Sequence, residues 1–227
     1  MMTGVMKTIV FTGDSHTWGE GASLGAPLDY FCDGSPAVPG DLRRMRRDYP
    51  SFVSLIAAWI EREYPGVYRI VNSGIGSCPA RRYVTEYWEE WVAAHKPEII
   101  VIQPHTINDW LTREGAARYK KDLDAYVRKA CQTAHKVLLT TVSPILGEQK
   151  RSGRSDGYCL FDSCSDSYAD YVSVIPQVAV ARRVPLADVY PLLGDPAYFA
   201  DNWHVNNAGH KIYAETVWKQ LLNHKYI

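Results

Sequence analysis

Four consecutive residues branched at Cβ, Ile99-Ile100-Val101-Ile102, have few places to go in a folded chain. A short apolar run without alternation suits a strand covered on both faces, the environment of a parallel sheet flanked by helices. Taken as residues 98–103, it is one of five such runs, the others lying at 7–12, 68–72, 136–142 and 185–189. Between them, residues 51–64, 80–94, 114–134, 168–183 and 206–223 carry apolar side chains at three- and four-residue spacing, as amphipathic helices do. The alternation predicts an α/β architecture with helices on both faces of a parallel sheet. Asn206 or Asn207 is placed to cap the last helix, and Pro65-Gly66 to close the first. At 227 residues the chain fits one domain spanning 1–227.

Charge narrows the partners. Lys+Arg and Asp+Glu number 25 each, so no whole-protein field draws the chain to nucleic acid or to an anionic membrane. No apolar stretch approaches the roughly 18 residues of a membrane span. The first residues, MMTGVMKTIVFTGDS, have neither the charged region nor the cleavage site of a secretory signal, so a cytoplasmic location is expected. Cys32, Cys78, Cys131, Cys159 and Cys164 are odd in number and scattered, unlike a disulfide framework. Cys159 and Cys164 share one loop and are read as free thiols in a reducing compartment.

Two long irregular segments, 19–48 and 146–167, are rich in Gly and Pro or in Gly, Ser and Asp, and loops of such length usually carry function or disorder. In an open parallel sheet the ligand crevice lies beyond the carboxyl ends of the strands. There the sequence places Gly13-Asp14-Ser15-His16, Asn72-Ser73-Gly74-Ile75-Gly76 and Thr106-Ile107-Asn108-Asp109, with Asp201-Asn202-Trp203-His204 before the last helix. Together they fit nucleophilic acyl transfer. A serine hydroxyl needs a base to take its proton, and a carboxylate to hold that base in the right tautomer. Ser15, His204 and Asp201 supply these groups. The three-residue spacing lets Asp201 reach Nδ1 of His204 across a turn, leaving Nε2 for Ser15. An oxyanion then needs preorganised donors, and the Ser15 and Gly74 amides with the Asn108 side chain could provide them.

These blocks, in this order, resemble the SGNH subgroup of GDSL esterases and lipases, and the resemblance covers most of the chain. It implies a flavodoxin-like three-layer α/β/α fold with five parallel strands. It also implies Ser15 and His204 as catalytic residues, Asp201 as the group orienting the histidine, and Ser15, Gly74 and Asn108 as the oxyanion hole. Two positions depart from the family pattern: His16 stands where an apolar residue is usual, and Thr106 stands where a glycine is usual, two positions before Asn108.

The same residues admit other readings. His16, His105 and His204 could gather near the crevice, but their spacing matches no zinc signature, so no metal is expected. Gly74-Ile75-Gly76 lacks the remainder of either phosphate-binding fingerprint, so no nucleotide or other organic cofactor is expected. Arg43, Arg44, Arg46 and Arg47 are read as a solvated loop, with an anion site for a uronate or phosphate as the sharper alternative. Trp18, Trp110 and Trp203 lie within three positions of Ser15, Asn108 and His204, and could line a pocket for a pyranose ring; Trp59 and Trp218 are read as core. The expected activity is a serine esterase acting on small acyl esters, carbohydrate O-acetyl groups foremost, with a small-molecule ester or acetylated oligosaccharide as partner. The alternatives are a lysophospholipase or acyl-thioesterase, or an inactive flavodoxin-like binding module.

Overall fold

The computed structural model describes residues 6–22, 51–146 and 166–227. The arginine cluster at 43–47, Cys32, Cys159, Cys164 and most of the two long loops lie outside the described residues. Along the chain, β1 (Lys7–Gly13) leads into α1 (Ser15–Trp18), followed by α2 (Phe52–Glu63) and β2 (Tyr68–Gly74). Then come α3 (Ala80–Arg82), α4 (Trp88–Trp91), β3 (Ile99–Ile102), α5 (Thr106–Thr112), α6 (Ala116–Thr133), β4 (Lys136–Thr140), α7 (Tyr168–Arg182), β5 (Leu186–Ala187) and α8 (Asn207–Asn223). The five strands form one parallel sheet in the order β2-β1-β3-β4-β5.

Strand alternation sorts the apolar side chains onto two faces. Val10, Ile100, Ile102, Val137 and Leu139 point into a core shared with the fully buried Tyr83, Trp88, Tyr119, Tyr126 and Tyr171 of the helices between β2 and β5. Ile9, Phe11, Ile99, Val101 and Leu138 face Phe52, Ile56 and Ile60 of α2 and Tyr213, Val217 and Leu221 of α8. The run 99–102 is buried at every position, as an interior strand with helices above and below requires. Trp59 and Trp218 meet edge to face at 5.6 Å on the second face.

Local signals account for most element ends. Asn206, rather than Asn207, caps α8 by accepting from the N–H groups of Ala208 and Gly209. Ser167 and Asp170 form a reciprocal capping box at the start of α7. Three elements differ from the periodicity. The helix expected over 80–94 is interrupted by a wide π turn, Tyr83–Tyr87, within which Tyr83 is buried and its hydroxyl donates to the Ser73 carbonyl at 2.7 Å. Strand β5 has two residues, because beyond Ala187 the Thr141 hydroxyl takes over as acceptor for the N–H groups of Val189 and Tyr190 and bends the chain out of the ladder. Helix α5 was not announced by its pattern, being short and holding Thr106, Ile107 and Thr112, all poor helix formers. Burial of Ile107 and Trp110, and a 2.7 Å bond between the Thr106 and Tyr119 hydroxyls, hold it in place.

In this strand order the chain leaves β1 toward β2 on one side and later returns to β3 on the other. The crevice therefore opens at the carboxyl ends of β1 and β3. Asp14-Ser15 and the start of α5 sit at those two ends.

Candidate active site

Asp14 caps α1, its carboxylate accepting from the His16 N–H at 3.0 Å. That turn sets Ser15 at the first helical position, with a backbone N–H that has no acceptor inside the helix. The Ser15 Oγ lies 3.0 Å from Nε2 of His204. On the other side of the ring, Nδ1 of His204 lies 2.8 Å from Oδ2 of Asp201. The second oxygen of Asp201 accepts from the N–H groups of Trp203 at 2.6 Å and His204 at 2.8 Å, so one carboxylate both builds the turn and holds the imidazole. Ser15, His204 and Asp201, 189 positions apart at the extremes of their first contact, are thus assembled as one chain of hydrogen bonds.

Electrostatics follow from this packing. Burial works against a charged His204, but the hydrogen bond to Asp201 and the nearby charges of Glu20 and Asp201 outweigh it, raising the imidazole above the ordinary histidine value. Burial likewise pushes Asp201 up, yet the bonds it accepts from the His204 ring and from backbone amides bring it well below the usual carboxylate range. Asp14 is fully buried; desolvation alone would raise it, and the hydrogen bond and charge of His16 prevail to lower it. Farther along α5, burial pushes Asp109 up to about 7 despite the bond it accepts from the Ala80 N–H.

Asn108 comes to the same place from α5, its side-chain amide directed at Asp14 Oδ2 across 3.4 Å. Thr106 does not divert it, since the hydroxyl turns away toward Tyr119. Gly74 is a different matter. Its N–H donates to the Asn72 side chain at 3.0 Å, and a Cβ there would collide with the backbone of Asp14, Thr17 and Trp18. It therefore packs behind α1 instead of presenting an amide to the crevice. Gly76, two residues on, borders the serine: a Cβ at that position would stand 3.7 Å from Ser15 Cβ and 3.8 Å from Glu20 Oε2. The sequence reading names Gly74 alone, and the path of the chain after β2 is what brings Gly76 to the serine instead.

This contrast has a measurable outcome. Gly76→Ala meets ordinary contact distances and should fold with an unchanged melting temperature while losing about a hundredfold in kcat/KM, since the methyl intrudes beside the serine. Gly74→Ala should instead lower stability by about 1–3 kcal/mol, read by chemical denaturation, because backbone cannot yield as a flexible side chain would.

The tryptophans divide. Trp110 is 5% exposed, edge to face with Tyr168 at 5.7 Å and beneath the Arg113 guanidinium at 4.8 Å, so it belongs to the core and offers no stacking face. Trp18 and Trp203 are half-buried at the ends of the segments that carry Ser15 and His204. Two further residues gain a place that sequence alone did not assign. Nε2 of His16 lies 2.9 Å from the Trp203 carbonyl and 3.1 Å from Ser143 Oγ, while Nδ1 faces Asp14 at 3.4 Å, so this ring joins the first motif to the last. Glu20 places Oε2 3.6 Å from His204 Nε2. The glycines flanking it, Gly19 and Gly21, were the available signal. His105, in contrast, is sealed in the core, its Nδ1 donating to the Cys78 carbonyl at 2.6 Å and burial lowering it to about 4. Among the described residues, no three His, Cys, Asp or Glu side chains are grouped to hold a metal ion, and no helix is long and apolar enough to cross a membrane.

Comparison with known proteins gives a concordant result. The sequence model of the GDSL-like Lipase/Acylhydrolase family matches residues 11–212. No curated protein matches significantly. Among solved structures, the chain is similar to Axe2, an acetylxylan esterase from Geobacillus stearothermophilus, at 21% identity and a TM-score of 0.65, over 97% of this chain and 96% of that one. A catalytic mutant of the same enzyme superposes with a TM-score of 0.67 at 21% identity, with the same coverage of both chains. LAE5, an alpha/beta hydrolase enzyme from the metagenome of Lake Arreo, is 20% identical with a TM-score of 0.63, over 96% of this chain and 97% of its own.

Proposed function

This chain belongs to the GDSL-like lipase/acylhydrolase family and is a hydrolase of ester bonds; on that premise we propose that it is a serine esterase removing small acyl groups, acetyl foremost, from carbohydrate hydroxyls through an acyl-enzyme on Ser15. The observation that carries the reading is the unbroken relay from Ser15 Oγ to His204 Nε2 at 3.0 Å and from His204 Nδ1 to Asp201 at 2.8 Å. In this mechanism Nε2 accepts the hydroxyl proton as Oγ bonds to the acyl carbon. The carbonyl oxygen takes the negative charge, met by the Ser15 N–H and the Asn108 side-chain amide. When the tetrahedral species collapses, the imidazolium hands its proton to the departing alkoxide and the alcohol leaves. Water then gives a proton to Nε2 and attacks the acyl-serine. The carboxylic acid departs as the proton returns to Ser15 Oγ.

The substrate class rests on two supports. Trp18 and Trp203 are half-buried on the segments that carry Ser15 and His204, and the solved proteins sharing this fold include an acetylxylan esterase. Acetate release from acetylated xylo-, pectic and amino-sugar oligosaccharides, measured beside a lysophospholipid and an acyl-CoA, tests it. Higher kcat/KM on a carbohydrate ester is expected; preference for either lipid-derived substrate would replace this reading with a lysophospholipase or thioesterase. Loss of fluorophosphonate labelling would leave only a binding module.

The pH dependence follows from His204. Its neutral form is the base, and its raised pKa means that protonation persists to higher pH than for an ordinary histidine. The acid limb of kcat/KM should accordingly fall above pH 6.5, the ordinary value, and activity should be lost as pH drops through it. A profile flat to well below that value would remove His204 as the base.

A further inference from the structure

Glu20 is held against the reacting groups by more than its own side chain. Gly19 and Gly21 on either side have φ of 107° and 86°, a region that L side chains rarely adopt. A Cβ on Gly21 would lie 2.5 Å from the Val205 carbonyl and 2.8 Å from His204 Cβ, so the chain passes directly against the segment that carries the histidine. The Glu20 N–H donates to the Ser15 carbonyl at 2.9 Å. Its own carbonyl accepts from Nε2 of His210 at 3.2 Å, and His210 in turn accepts at Nδ1 from the Phe52 N–H at 3.3 Å. His210 is fully buried between these two backbone groups, so one tautomer satisfies both and the brace is fixed.

The side chain emerging from this brace reaches the histidine and stays open to solvent. Oε2 is 3.6 Å from His204 Nε2, the nitrogen that also faces Ser15, and 3.8 Å from the space a Cβ on Gly76 would fill. It is 38% exposed, so the carboxylate meets both the imidazole and whatever enters from solvent. Asp201 already supplies the partner for the imidazole, and from the opposite edge of the ring. A second carboxylate on the Nε2 side lies where the leaving alcohol must depart.

We infer that Glu20 sets the charge preference of the site, admitting esters of neutral and cationic alcohols and turning away esters whose alcohol carries a carboxylate or phosphate. This rests on the serine-esterase reading and narrows it to neutral and amino sugars over uronates. It points away from the acidic substrates that go with the alternative reading of the arginines at 43–47.

Three acetate esters of similar size separate charge from shape: acetylcholine, its uncharged isostere 3,3-dimethylbutyl acetate, and the acetate ester of 3-hydroxypropionate. On the pH plateau, wild-type kcat/KM should fall in that order, with roughly five- to twentyfold between neutral and anionic esters at low salt. The spread should shrink severalfold in about 1 M salt, where the Debye length is about 3 Å. In Glu20→Gln the three values should converge, and in Glu20→Lys the order should reverse. A carboxylate that acted only through the basicity of His204 would change all three esters equally and leave their ratios intact; that result, or equal wild-type rates, overturns the inference. Should Glu20→Lys fail to fold, the nearly isosteric Glu20→Gln carries the test alone. Absence of turnover on all three esters and on 4-nitrophenyl acetate would instead strike the serine-esterase reading, and the inference with it.

Discussion

Ser15→Ala should lower kcat/KM on 4-nitrophenyl acetate by about four to six orders of magnitude, the range for removing the nucleophile from a serine relay. No neighbour can replace it. The hydroxyl is the group that Nε2 of His204 faces at 3.0 Å, and an alanine methyl has neither a proton to surrender nor a lone pair to bond with the acyl carbon. Folding should survive, because the lost hydroxyl makes one hydrogen bond to a side chain and Ser15 sits in the first turn of a short helix held by the Asp14 cap. A melting temperature within a few degrees of wild type, measured by circular dichroism, would accompany the loss. His204→Ala should cost about as much, and the double variant little more than either single one, since members of one relay fail together. Retention of wild-type turnover by Ser15→Ala would place the nucleophile elsewhere.

Asp201→Asn should lower kcat/KM by about 10⁴-fold while the fold persists. Three N–H groups converge on this carboxylate: the Nδ1 proton of His204 on one oxygen, and the amides of Trp203 and His204 on the other. A carboxamide cannot accept all three. If its oxygen stays with the backbone amides, its NH₂ faces Nδ1 and drives the ring to the opposite tautomer, with a proton on Nε2 where the base is needed. If it flips, two donors oppose the NH₂ and the turn opens. The loss comes from the tautomer more than from charge, because Asp201 is 54% exposed and solvent screens its field. The acid limb should also move to lower pH, since the hydrogen bond to Asp201 is the leading influence raising His204. An asparagine variant with activity near wild type would show that the ring is oriented by something else.

How much of this was legible beforehand depends on the range over which each feature is decided. The β-branched run at 99–102 and the three- and four-residue spacings in α2, α6, α7 and α8 are local statements about which side of an element must be buried, and they suffice for a parallel sheet between helix layers. Caps are local as well, so Asn206 could be read directly. Ser15, Asn108, Asp201 and His204 could be singled out for a related reason: each proposed role admits few residue types, and each stands next to the end of a strand or the start of a helix.

Contacts between distant segments decided the rest. Helix α5 is stabilised by what it packs against, so its own residues could not announce it; β5 ends where the Thr141 hydroxyl, just past β4, captures the amides of Val189 and Tyr190 that follow it. Whether Gly74 or Gly76 borders the serine depends on how the chain turns after β2, and the two are chemically identical until α1 is laid across one of them. Trp110 and Trp203 are equally near a motif in sequence, yet α7 covers the first with Tyr168 and leaves the second half-open. Glu20 reads as an ordinary surface carboxylate until His210, 190 positions away, pins its backbone and the last turn brings His204 to its side chain. The layers and the groups proposed to react can be read from the chain alone, because burial and chemical role each restrict residue type at single positions. Which glycine borders Ser15 and which carboxylate reaches His204 follow instead from distances between segments that no local pattern encodes.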